Sequence, residues 1–449
     1  MSEFRSYIDA NYEAFESELF ELLRIPSISP VAGFEKEVAQ CAEGFAARMN
    51  ELGLSAKVCP TAGNPIVYGE TEQIPGRPTV LIYGHYDVQP EGNLARWDSD
   101  PYEPVVRNGR IYARGVGDNK GQIYSHIKGY QAYKAVYGEP KVNLKYILEG
   151  EEESGSANLS VFARENAEML RADITIWSDA NVHASGRPIA LLGLKGLASM
   201  KITVKGPCQD FHSQYSSVLP NPTWKLVKIL SSLKDEKGNV LVPGFYEGAN
   251  IPGEAEMEAI RAIPGTLEDF TSGWKVNELL HDVDKVACYA RYMFEPTLNC
   301  GCISAGNPAA AKNIVPCEAS AWLDIRTVPA QDTAAICKKI EEHICSLGIE
   351  GVSVEYSANN AAYTPLDNPF VQPALEVLRE TWGEEPILYP ALGGSGPFHV
   401  FNTIIGAPCI MLPYADAEQH DHGPNESLPV ELYKRGIEAS AALIRRFGE

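Results

Sequence analysis

The sequence predicts an α/β fold, a parallel-rich sheet sandwiched by helices and interrupted by an inserted α+β domain. Three observations carry that prediction. A continuous apolar run at 79–83 (TVLIY), with further strands read at 142–148 and 174–177 (ITIW), suits strands buried on both faces. Helix-period segments alternate with those runs, as in a parallel sheet covered on both sides. Near residue 190 the texture changes, and 197–204 and 320–326 alternate apolar with polar residues, as half-exposed antiparallel strands do.

Taken in order, Ile8, Tyr12, Phe15, Leu19 and Leu22 mark one face of a first helix, which Pro26 and Pro30 end. A second helix is expected over 33–54, stopping around Gly53. The 79–83 strand, a helix from Gly121 to Tyr137 and the 142–148 strand follow. Then come one helix over 158–169 and the 174–177 strand. Helices at 223–233 and 333–347 accompany the alternating strands of the insert. The α/β pattern resumes with a helix at 373–381, a strand at 409–412 and a last helix at 429–447. The expected division is residues 1–193, an insert over 194–362, and a return over 363–449.

Composition narrows the function. Thirty-eight Lys and Arg against 59 Asp and Glu give a net charge of −21, which argues against nucleic acid or an anionic membrane as partner. No apolar run approaches the roughly 18 residues that span a bilayer, and the acidic amphipathic start is unlike a signal peptide. A cytoplasmic protein is expected. Its ten cysteines form no CxxC pair, and Cys300-Gly-Cys302 is too tight for a usual zinc knuckle. They are expected to be reduced and mostly buried.

Acids and imidazoles cluster directly after the apolar strands, where open α/β sheets place their sites. His85 and Asp87 (GHYDVQP) follow the strand ending at Tyr83. Asp118 lies in ARGVGDNKG, just before a helix. Glu152 and Glu153 (EGEEESGS) and Asp179 (WSDAN) follow the next two strands, and His420 and His422 stand in AEQHDHGPNES. A mixed nitrogen and oxygen set suits Zn²⁺ best, with Mn²⁺ or Co²⁺ as alternatives. So many converging carboxylates would repel one another without cations.

The ordered set GHYDVQP, RGVGDNKG, EGEEESGS, WSDAN, DFHS, LDIRTVP, GGSGP and HGPNE resembles the M20 family of dinuclear zinc amidohydrolases and peptidases. WDSDP, EESGS and the stretch RYMFEPTLNCGCISAGN with NIVP resemble its dipeptidase and carnosinase branch. The resemblance implies a zinc-exopeptidase-like fold whose insert is a lid and dimerisation domain, and two divalent ions. It implies His85 on one ion and His422 on the other, Asp118 bridging both, and Glu153 completing one ion's coordination and Asp179 the other's. Asp87 would orient the His85 ring, Glu152 would be the general base acting on a water between the ions, and the Asp118-Asn119 peptide would be cis. The alternative base is Glu151. His212 would reach the partner subunit's site in a homodimer and stabilise the oxyanion. Arg326, Asn313, Gly393, Gly394 and Ser395 would contact substrate. His420 is set apart from the ligands, and His126, His183, His281, His343 and His399 are read as structural.

Two positions depart from the family pattern: Ala391 stands where near relatives carry arginine, and Gln214 where glycine is usual. Both concern the substrate, and losing a charge at 391 is expected to favour a less acidic or larger apolar one. The expected activity is metal-dependent hydrolysis of an amide next to a free carboxylate, on dipeptides. The alternative is an N-acyl amino acid deacylase. From another class, an inactive metal-binding scaffold fits poorly, since every ligand and base position is filled.

Overall fold

A computed structural model describes residues 2–249, 251–276, 278–306 and 313–449, so Asn307 of the quoted RYMFEPTLNCGCISAGN stretch lies outside the described residues. The chain forms two compact units, one of Met1–Leu192, Thr364–Tyr389 and Val400–Glu449, the other of Gly193–Tyr363 and Pro390–His399. Residues 390–399, read from sequence as part of the returning α/β segment, therefore cluster with the insert. The reading broke the chain only where strand texture changed, and this loop contains no strand to reveal its allegiance.

The first unit is built on an eight-stranded sheet. Its spatial order is Ser55–Cys59, Ile66–Glu70, Asn143–Glu149, Thr79–His85, Ile174–Trp177, Cys409–Met411, Ile189–Leu191, Ile387–Tyr389. The four strands from Asn143–Glu149 to Cys409–Met411 run parallel. Ser55–Cys59 and Ile66–Glu70 join antiparallel at one edge, which makes the sheet mixed. Every residue of Asn143–Glu149 and Ile174–Trp177 is buried, including Asn143, Lys145 and Glu149 of the first, as expected of central strands covered on both faces. Helix Lys120–Tyr137 packs against the final helix, Val430–Gly448. Gly129 permits that approach: a Cβ there would lie 2.4 Å from the Ser440 Cβ.

One expected helix is two. Leu159–Glu165 and Ala167–Leu170 are separated at Asn166, whose side-chain amide donates to the Phe162 carbonyl and competes with the helical ladder.

The second unit holds a four-stranded antiparallel sheet in the order Thr297–Ala305, Glu318–Thr327, Gly196–Lys205, Val352–Asn359. Helices Pro222–Leu233 and Thr333–Ser346 cover one face, burying Met200, Ile202, Leu323 and Ile325 against Leu226, Ile229, Ile336 and Ile340. Alternate residues turn the other way, and Trp322 is 40% exposed. Three further helices, Glu254–Ala262, Leu267–Thr271 and Lys285–Phe294, were not placed from sequence.

All ten cysteines are free, but only Cys41, Cys337 and Cys409 are buried, while Cys208, Cys300, Cys302 and Cys345 are exposed. The expectation of mostly buried thiols is corrected: Cys300 and Cys302 sit on the exposed edge strand Thr297–Ala305. Among the described residues no helix is long and apolar enough to cross a membrane.

Candidate metal centre and active site

Three neighbouring parallel strands of the first unit deliver most of the site. His85 ends the strand Thr79–His85, Glu152 and Glu153 follow Asn143–Glu149, and Asp179 follows Ile174–Trp177. Asp118 enters from the turn before helix Lys120–Tyr137, across a cis Asp118-Asn119 peptide. Asn119 ties this turn to the sheet, its side chain accepting from the His85 amide at 3.4 Å and donating to the Ser178 carbonyl at 2.7 Å.

Two groups of possible metal ligands result, His85 with Asp118 and Asp179, and Asp118 with Glu153 and His422. Asp118 belongs to both through different oxygens. Its Oδ1 is 3.1 Å from His85 Nε2, and its Oδ2 is 3.1 Å from His422 Nε2. Asp179 Oδ2 lies 3.4 Å from His85 Nε2, and Glu153 Oε2 lies 3.1 Å from His422 Nε2. The groups differ in access, since the His85 side chain is 0% exposed and that of His422 is 56% exposed. His422 stands at φ 56° in a turn where His420 and Asn425 are also left-handed, a conformation that non-glycine residues seldom adopt. His420 is exposed and belongs to neither group.

These residues fit divalent cations. His85 Nε2 is buried beside two carboxylates yet makes no aligned hydrogen bond, the environment of a nitrogen that faces an ion. The donor set is three carboxylates and two imidazoles, suited to zinc and its neighbours. Electrostatics agree. Burial raises Glu153 and Asp179 above the ordinary carboxylate range, and Asp118 adds repulsion to both. Glu152 is raised well above that range, first by burial, then by Asp179, Asp118 and Glu153 against the pull of His85. Asp118 and Glu153 push His422 up to about 11. For His85 burial acts downward, but Asp118, Asp179 and Asp87 outweigh it and hold the ring well above its ordinary value. Positive charge is drawn to these imidazoles by the carboxylates around them.

Residues Glu152–Ser154 form a single 3₁₀ turn, which brings both adjacent glutamates toward the centre. Asp87 fixes that turn. Its Oδ1 accepts from the Glu152 amide at 3.3 Å, and its Oδ2 from the Glu153 amide at 3.1 Å and the Ser29 hydroxyl at 2.5 Å. Asp87 also meets the His85 ring, with its backbone carbonyl 3.1 Å and its carboxylate 3.4 Å from Nδ1. Glu151 points elsewhere, accepting from the Asn64 amide at 2.9 Å and from the Asn158 amide at 3.1 Å.

Sequence reasoning missed two supports. The buried Glu426 accepts from the amides of Gly115, Gly117 and Asp118 at 2.9–3.0 Å and pairs with Arg114 at 2.7 Å. It closes the quoted HGPNE motif, so the signal was a carboxylate in a turn four residues after His422. Gln89 donates to Glu153 Oε2 at 2.9 Å and is the glutamine of GHYDVQP.

The remaining candidates lie in the second unit, in two clusters. Arg326 Nη1 donates to Ser395 Oγ at 2.8 Å, and the Gly394 carbonyl accepts from the Lys195 amide at 2.9 Å. One edge of the Arg326 fork is already held by Asp324, with both contacts at 3.1 Å. Gly393 lies under the Tyr292 ring, where a Cβ would come within 2.4 Å of Cε2. His212 and Asn313 are both exposed, and a two-stranded ribbon of Phe211–His212 with Ile314–Val315 brings them together. The Ser213 amide donates to the Asn313 carbonyl at 2.8 Å, and His212 Nδ1 accepts from the Gln214 amide at 3.1 Å.

Residues 81–446 match the peptidase family M20/M25/M40. The chain is 26% identical to human beta-Ala-His dipeptidase, over 97% of this chain and 90% of that one. Its fold matches that of an M20 family metallo-carboxypeptidase, Sso-CP2 of Sulfolobus solfataricus, with TM-score 0.90 and 29% identity over 97% of this chain and 99% of that one. It also matches the dipeptidase Dug1p of Saccharomyces cerevisiae with TM-score 0.82 and 25% identity, over 99% of this chain and 98% of that one.

Proposed function

Because the chain belongs to the M20/M25/M40 peptidase family, we propose that it hydrolyses dipeptides at the amide bond next to the free carboxylate, using two divalent metal ions. The observation that carries this reading is Asp118, one carboxylate shared by two ligand groups, with Glu152 beside them. The names of the relatives support the substrate class, since two are dipeptidases and one is a carboxypeptidase.

In this reading His85, Asp118 and Asp179 hold one ion, and Asp118, Glu153 and His422 hold the other. Bound there, zinc (or manganese or cobalt) supplies Lewis acidity toward the scissile carbonyl and acidifies a water. Glu152 takes the water's proton on its carboxylate and later returns it to the leaving amine. Glu151 is the poorer base, because its oxygens are committed to Asn64 and Asn158. Asp87 positions the base and two ligands together, through His85 and the 152–154 turn.

Arg326, with Ser395 and Gly394 close by, receives the substrate carboxylate. Asp324 fixes the orientation of the guanidinium through Nε and Nη2, which leaves Nη1 on the Ser395 side. His212 and Asn313 stabilise the oxyanion. The exposure of His212 supports its service to a partner subunit, in a homodimer formed through the second unit.

Matched substrates test the reading. The metal-loaded protein is given free-amine dipeptides and N-acyl amino acids with the same carboxyl residue, and products are followed by mass spectrometry. Cleavage of the dipeptides is expected. Cleavage of the N-acyl compounds alone would replace the reading with a deacylase, and cleavage of neither would overturn both.

A further inference from the structure

One buried acid of the EGEEESGS segment stands apart from the ligands and the base. Glu149 ends the strand Asn143–Glu149, opposite His85 in the parallel register, and is 1% exposed. Burying a carboxyl group is costly unless it is hydrogen-bonded. Glu149 Oε1 accepts from the Tyr83 hydroxyl at 2.5 Å and from the Ser156 hydroxyl at 2.9 Å.

Ser156 closes the turn that carries Glu152 and Glu153. The Ser154 and Ser156 amides both donate to the Glu151 carbonyl, at 3.1 and 2.7 Å, and the Gly155 amide donates to the Glu152 carbonyl at 2.9 Å. The chain leaves this turn through two left-handed residues, Gly155 at φ 96° and Ser156 at φ 53°. Glycine adopts that conformation freely. Serine does so at a cost, which its bond to Glu149 offsets. Tyr83 fixes the other side of the Glu149 carboxyl group. Its ring packs against Trp177 and Phe401, with centroids 5.1 and 4.6 Å away, and Trp177 Nε1 donates to Asp179 Oδ2 at 3.2 Å. Glu149 thus joins the aromatic core of the first unit to the far end of the turn, while Asp87 holds the near end through the Glu152 and Glu153 amides.

We propose that Glu149, acting through Ser156, is a positioning residue for the base: it closes the 152–156 turn and so holds the Glu152 carboxylate at the metal centre. The proposal rests on the reading of Glu152 as the base.

Two measurements on the full chain test it. Ser156→Ala removes the hydroxyl and leaves the backbone preference almost unchanged, whereas Glu149→Gln keeps an oxygen that can accept from both hydroxyls. Amide hydrogen exchange, read by mass spectrometry on peptides spanning 150–158, is expected to quicken about tenfold in Ser156→Ala, the size of one hydrogen bond. Glu149→Gln should exchange like the wild type. Turnover is then measured at saturating zinc, on whichever dipeptide or N-acyl amino acid the wild type cleaves. Ser156→Ala should lower kcat about tenfold and leave KM within about twofold, because the loss concerns the base and not substrate binding. Glu149→Gln should keep its kcat. In a Glu152→Gln background Ser156→Ala should change kcat by less than about twofold, since the group it positions is gone. Unchanged exchange in Ser156→Ala, or unchanged kcat despite faster exchange, overturns the proposal. So does a full loss in the Glu152→Gln background. Near-normal turnover by Glu152→Gln itself would fell the base reading and the proposal with it, while faster exchange in Ser156→Ala would still leave Glu149 as the anchor of the turn.

Discussion

Asp87 shows how much one carboxylate organises here. It was legible in the sequence as the acid two residues after His85, and its expected partner was the imidazole. Its carboxylate in fact accepts the amides of Glu152 and Glu153, so it sets the proposed base and a proposed ligand as well. Ligand and base positions were readable because acids and histidines at strand ends are uncommon as a set. Glu426 and Gln89 were not, because they act through backbone amides or another carboxylate, which no spacing rule announces. Glu152→Gln is expected to keep both ions and lower kcat by about 10²- to 10⁴-fold. Near-normal turnover with metal bound would reassign the base. Glu426→Gln leaves Arg114 buried without its counter-charge and should cost on the order of 3 kcal/mol in denaturant unfolding. An unchanged midpoint would remove Glu426 from the account. His126, buried between Ser178 and Ser440, is pushed by burial from its ordinary 6.5 down to about 3. The unfolded chain therefore takes a proton that the folded one refuses. The histidine's stabilising contribution is complete above about 6.5 and is lost as pH falls toward 3, by up to about 1.4 kcal/mol per pH unit. His126→Gln should flatten the acid limb of a stability-versus-pH series; parallel curves would contradict this.

At the scale of elements, the buried parallel strands were the easiest to read, because short, largely apolar runs leave little choice of environment. The insert's strands followed from alternation. Its helices over 254–294 escaped because several are short and lie among Gly, Pro and charged residues, where no long apolar stripe develops. The break at Asn166 escaped for another reason, since a single side-chain hydrogen bond interrupts an otherwise helical pattern. Packing between helices gives a direct test. Gly129→Ala puts a methyl against Ser440 and the Ala441 amide, and is expected to cost about 1–3 kcal/mol. Gly273→Ala meets open space and serves as the control in the same thermal unfolding series. Equal effects would mean that the close approach of Lys120–Tyr137 to Val430–Gly448 is unimportant.

At the scale of the whole molecule, the strand texture revealed an insert but not the return of residues 390–399 to it. That return matters, because it joins Ser395 to Arg326. The chain's acidity and its metal chemistry also meet at this scale. Three buried or half-buried carboxylates converge with two imidazoles, and the account requires cations to make that convergence favourable. The most direct measurement is a zinc titration of the metal-free protein by calorimetry, with Asp118→Ala alongside. Two equivalents bound by the wild type, and loss of both sites in the variant, are expected. A single equivalent in the wild type, or two still bound without Asp118, would contradict a centre built on that shared carboxylate.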